Sequence, residues 1–152
     1  MKLTALLLTL HILAATIWAG GMFAAYVCLR PAAGPLDGPA RFTLWRAFFA
    51  KFFIWVWVSV LLISGYWMLV TTFGGFAGAP LYINLMQTLG LIMVALFVWL
   101  FHGPWLKFKR AVDAKDYSTA GIQLNRIRRI IMINMPLGLL VVAIGGTGRF
   151  WG

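Results

Sequence analysis

The stretch Leu10-His11-Ile12-Leu13-Ala14-Ala15-Thr16-Ile17-Trp18-Ala19-Gly20-Gly21-Met22-Phe23 decides the fold. It lies inside a longer run, Leu3 to Leu29, that carries no formal charge. At about 1.5 Å per residue such a run crosses the ~30 Å hydrocarbon core of a bilayer with some tilt. One side chain whose ordinary pKa lies near neutral, His11, sits inside it. At helical spacing His11, Ala15, Trp18 and Met22 share a face. A polar group in a membrane span faces protein or water, not lipid. His11 is therefore expected to point toward the other helices.

Composition says the same of the whole chain. The 152 residues are 62% hydrophobic and 11% charged, with a mean hydropathy of +0.91. A soluble domain of this size could not cover that much apolar surface, and an integral membrane protein can. We expect a single membrane domain over residues 1–152. Thirteen basic residues stand against three acidic ones, a net charge of +10. They lie between apolar runs, with no soluble basic domain and no nucleic-acid motif, which argues against nucleic acid as a partner. The single cysteine, Cys28, rules out an intrachain disulfide and a CxxC metal site. Met1-Lys2 and the leucines after it look like the start of a signal peptide. The run is too long for one and ends in no Ala-x-Ala site, so it reads as a retained span.

Three further spans follow. Arg30-Pro31 closes the first, and Pro31 to Pro39 is a turn-rich linker. Arg41 to Lys51 alternates basic and aromatic residues, as an interfacial helix does. The second span is Phe52 to about Thr72, with Ser64-Gly65 marking a close contact or slight kink. The third is Leu81 to Phe101, closed by His102-Gly103-Pro104, and Asn84, Gln87 and Thr88 line one side of it. Ser118 is a candidate N-cap for the last helix. The fourth span is Ile130 to about Thr147, with a kink expected near Asn134 and Pro136. The expected fold is all-α, a four-transmembrane-helix bundle with spans near 3–29, 52–72, 81–101 and 130–147.

Charge sets the expected orientation. Two basic stretches between the spans, Arg30 to Lys51 and Lys107 to Arg129, hold every basic residue except Lys2 and Arg149. The positive-inside rule then places those loops in the cytoplasm and both termini outside, N-out and C-out. The cationic inner face should attract anionic lipid. In this orientation His11 lies ~12 Å below the outer surface. His102 falls at the opposite end of its span, so the two histidines do not share one metal.

His11 is the candidate for chemistry. With Met68 or Met86 it could ligate Cu(I), which favours imidazole and thioether sulfur. It could also be an axial haem ligand or a proton carrier. The plainer reading is a packing hydrogen bond to Ser64, Asn84 or Gln87. Arg126, Arg128 and Arg129 read first as a topology anchor. Arg128 and Arg129 could instead hold an anionic group such as a porphyrin propionate, with Asn134 nearby. No nucleophile–base pair, HExxH, carboxylate pair or phosphate loop is present, and the reading leans away from an enzyme.

The ordered set of Leu10-His11…Trp18-Ala19-Gly20-Gly21-Met22-Phe23, Phe52 to Trp57, Ser64-Gly65-Tyr66-Trp67-Met68, Leu85-Met86…Leu89-Gly90, Ile127-Arg128-Arg129 and Gly145…Gly148-Arg149-Phe150-Trp151 resembles the CopD family of bacterial inner-membrane proteins. It covers nearly the whole chain. The resemblance implies copper handling. A more distant similarity to the HemJ group implies haem b instead, with His11, Asn84, Arg128 and Arg129 as cofactor-binding positions. HemJ-like chains carry a histidine and a lysine early in the third span; here Asn84 stands there and no lysine is near. A third reading is an accessory subunit, as a homo-oligomer or within a larger membrane complex.

Overall fold

A computed structural model describes residues 2–151, and among them every regular element is helical. Helix α1 is Lys2–Ala32, α2 is Gly38–Phe52, α3 is Trp55–Phe73, α4 is Leu81–Asp113 and α5 is Tyr117–Thr147. Four helical stretches, Lys2–Ala32, Gly38–Phe73, Leu81–Asp113 and Tyr117–Phe150, are long and apolar enough to cross a membrane. The all-α, four-helix expectation holds.

The chain divides into two compact units. The first takes Met1–Gly20, Trp55–Met93 and Pro136–Gly152, and the second takes Gly21–Ile54 and Val94–Met135.

In the first unit the buried side chains are mostly small or aliphatic. Ala14, Trp18 and Ala19 come from α1, Val58, Ser64 and Leu69 from α3, Met93 from α4 and Ile144 from α5. Small residues let helices approach where lipid offers no hydrophobic drive to associate. Gly148 lies against the Tyr82 ring and leaves no room for a side chain. The loop before α4 turns at Gly74 and Gly75, at φ 68° and 111°, values that favour glycine. The Asn84 amide closes that loop by donating to the Ala79 carbonyl at 3.1 Å and to Phe76 at 3.4 Å.

The second unit is aromatic. Phe42, Trp45, Phe49 and Phe53 fall three or four residues apart, so α2 and the turn after it present them on one face. All four are buried, as are Trp105 and Phe108 of α4 and Leu124, Ile127 and Ile131 of α5. Asp37 caps α2, its carboxylate accepting from the Ala40 N–H at 2.7 Å. Arg46 of α2 pairs with Asp113 of α4 through two hydrogen bonds, 2.6 and 3.1 Å. On α1, Gly21 meets Phe52 and Ala25 is buried, while Gly20 faces open space.

Three local expectations need correction. Helix α1 does not stop at Arg30-Pro31. It widens over Ala24–Leu29, where the Arg30 N–H reaches back to the Ala25 carbonyl, and continues to Ala32. Helix α4 does not close at His102-Gly103-Pro104. It widens over Phe101–Trp105 and runs on through Leu106–Asp113, with Pro104 buried. Proline lacks an N–H and its ring clashes with the preceding turn; a wider turn absorbs both defects. The last helix begins at Tyr117, and its cap is Asp116, not Ser118. The Asp116 carboxylate accepts from the Thr119 N–H at 3.0 Å, the N-cap to N3 bond. The helix passes Pro136 without interruption.

Candidate functional site

His11 of α1 and Ser64 of α3 meet in the first unit, with Nδ1 and Oγ 2.9 Å apart. Ser64 is buried and His11 half-buried. The Ser64 hydroxyl has a single proton, which it donates to the Val60 carbonyl one turn back. Toward His11 it can then only accept. The neutral imidazole therefore carries its proton on Nδ1, and Nε2 keeps its lone pair. Gly65 permits the approach: a β-carbon there would stand 3.0 Å from His11 Cε1.

The other first-unit candidates have definite places. Met68 lies one turn beyond Ser64 on the same face of α3, half-buried. The Met86 methyl and sulfur lie against Gly145, 3.1 and 3.4 Å from where a β-carbon would stand. Gln87 donates to the Tyr66 hydroxyl. The Asn84 amide holds the preceding loop. Of the three partners considered for His11, the structure selects Ser64.

Arg128 and Arg129 belong to the second unit. With Tyr26, Arg30, Asn125 and Met132 they line an open cleft of about 220 Å³. Arg30 lies over the Tyr26 ring at 4.9 Å and Arg128 over the Trp45 indole at 5.5 Å. Such stacking positions a guanidinium while leaving its N–H groups to a ligand. Arg128 Nε is buried without a hydrogen-bond partner in the protein. Arg30 went unsingled in the sequence, although it is the first charge after the long apolar run.

The second unit's acids are engaged elsewhere. The Arg46 hydrogen bond holds the Asp113 carboxyl below its ordinary pKa, helped by the charges of Arg46 and Lys109. Hydrogen bonds from Thr119 and Ser118 do the same for Asp116.

This fold defines a multi-pass membrane protein of the all-α class, with an oriented imidazole among its helices and a guanidinium-lined cleft. Compared with protein-family models, with curated proteins and with solved structures, the chain matches none.

Proposed function

We propose that this is a small copper-handling protein of the bacterial inner membrane, with both termini outside, that takes the metal on His11 Nε2. The observation that carries this is the Ser64 hydrogen bond. A ligating histidine characteristically donates its second ring N–H to a neighbouring acceptor, which fixes tautomer and orientation. His11 has that arrangement. Met68, on the Ser64 face of α3, supplies the thioether that Cu(I) accepts beside imidazole. The resemblance to the CopD family points the same way.

Haem b is the second reading, and one observation favours it. The first unit offers one oriented imidazole, His11. A haem brings four nitrogen donors of its own and asks the protein for one or two. His11 Nε2 would hold the haem iron, and the haem would supply one-electron chemistry.

One preparation separates these readings. The protein is purified in mild detergent, analysed for copper, and scanned in the visible range oxidised and reduced. Stoichiometric copper that is lost in His11→Ala and weakened in Met68→Leu supports copper handling. A band near roughly 410–430 nm that shifts on reduction and vanishes in His11→Ala supports ligated haem. Copper retained by His11→Ala, or neither signal in the parent protein, overturns the assignment of His11 as a ligand.

A further inference from the structure

The cleft between α1 and α5 in the second unit gathers three cations. Arg30, Arg128 and Arg129 line it, and Arg128 also feels the charges of Arg30 and Arg41. Like charges held together raise the energy of the folded chain unless an anion joins them. Among the described residues no acidic side chain lines the cleft. The whole sequence has three acidic side chains. Asp37 caps α2, Asp113 pairs with Arg46, and Asp116 caps α5. A bound anion would supply the missing counter-charge.

The cleft also sets the ligand's size and setting. Its volume of about 220 Å³ is below the ~300–1,000 Å³ of pockets that enclose a whole small molecule. It takes one head group and leaves the rest of the ligand outside. Arg30 follows directly on the apolar run that ends at Leu29, and Arg128 and Arg129 directly precede the one that begins at Ile130. The three guanidinium groups therefore mark the level where apolar chain gives way to water. Phosphates of lipids lie at that level. Tyr26 and Met132 give the cleft an apolar side along which an acyl chain can run.

We propose that this cleft is a specific site for the phosphate of an anionic phospholipid. Arg128 donates through its terminal nitrogens, and Arg30 and Arg129 close on the remaining oxygens. Guanidinium groups suit this because their fork matches phosphate geometry. The site stands independently of the copper and haem readings.

The test uses the full-length protein in maltoside micelles and native mass spectrometry. It is titrated with phosphatidylglycerol, with phosphatidylcholine and with inorganic phosphate. The expected result is one tightly retained phosphatidylglycerol. Its affinity falls about tenfold in Arg30→Gln/Arg128→Gln, where two charge-assisted contacts are lost, and changes less than about twofold in Arg110→Gln, an exposed cation elsewhere. Arg128→Lys keeps the charge and loses the fork, so it should still weaken binding if the Gln variants fail to fold. Equal retention of phosphatidylcholine overturns the proposal. So does equal weakening in Arg110→Gln, which would mean diffuse attraction. Saturation by inorganic phosphate that blocks phosphatidylglycerol overturns the lipid assignment and makes the ligand a soluble phosphate.

Discussion

His11 Nδ1 and Ser64 Oγ lie 2.9 Å apart across 53 positions of sequence, and the serine's own proton goes to the Val60 carbonyl. Ser64→Ala therefore removes one acceptor and leaves the imidazole with the Leu61 backbone contact. The cost should be about 0.5–1.5 kcal/mol, the net worth of one hydrogen bond. Nitrogen-15 NMR of labelled histidine should show Nδ1–H in the parent protein and a mixture of tautomers in Ser64→Ala. A single Nε2–H form in the parent would reverse the tautomer assignment.

Gly65 should tolerate little. In Gly65→Ala the new methyl would stand 3.0 Å from His11 Cε1, tighter than ordinary contact, so the ring must give way. We expect the His11–Ser64 bond to lengthen and any ligand on Nε2 to bind about 10–100-fold more weakly, as when a ligating histidine loses its supporting partner. Ser59→Ala, on an exposed position of the same helix, is the control. Equal ligand affinity in both variants would refute the dependence.

The Arg46–Asp113 pair predicts an acid-side effect. The Asp113 carboxyl is held below its ordinary pKa, first by the Arg46 hydrogen bond. A lowered folded-state pKa means that the stabilisation is present above the ordinary carboxylate value, about 3.9, and is lost as pH falls through the folded value. Thermal midpoints of the parent and Asp113→Asn should differ near neutral pH and converge in acid. Asp113 is exposed and Arg46 half-buried at the surface, so the gap should be small and shrink further in roughly 1 M salt. A gap that widens in acid would contradict this sign.

Lys115 sits at φ 58°, a left-handed conformation that glycine adopts without the β-carbon penalty. It closes the C-terminus of α4, where the Asp116 N–H reaches the Ala111 carbonyl at 2.9 Å. Lys115→Gly should raise stability by about 0.5–1 kcal/mol, since glycine is the usual residue at such a cap. Lys115→Ala keeps the penalty and should not. Equal midpoints for the two variants would argue against the strain.

What the sequence made legible was whatever depends on long apolar runs. The four helices follow from Leu3–Leu29 and its three counterparts, because a bilayer demands that length and polarity. His11 was legible because an ionisable group is rare in such a run. Its partner was not, since Ser64, Asn84 and Gln87 all lie at a similar depth and only packing separates them. Pro31 and Pro104 misled because a proline breaks a regular helix, whereas a widened turn carries the chain past it. The cleft was half visible: Arg128 and Arg129 stand in a basic cluster, but Arg30 joins them only once α1 is folded beside α5.

Phe49 tests the aromatic half of the protein. It is fully buried, with ring centroids 4.7 Å from Phe53, 5.0 Å from Trp45, 6.1 Å from Trp105 and 6.4 Å from Phe108. Phe49→Ala should cost about 3–5 kcal/mol in thermal unfolding in detergent, the loss of a buried ring plus the cavity it leaves. Phe49→Leu fills most of that volume and forfeits mainly the ring–ring geometry, about 0.5–1.5 kcal/mol per pair. If both variants unfold with the parent, these rings are not what holds α2 to α4. If Leu is as damaging as Ala, the edge-to-face and stacked geometry matters more than the volume, and the aromatic alternation along Arg41 to Lys51 reflects packing between helices rather than an affinity for the membrane surface.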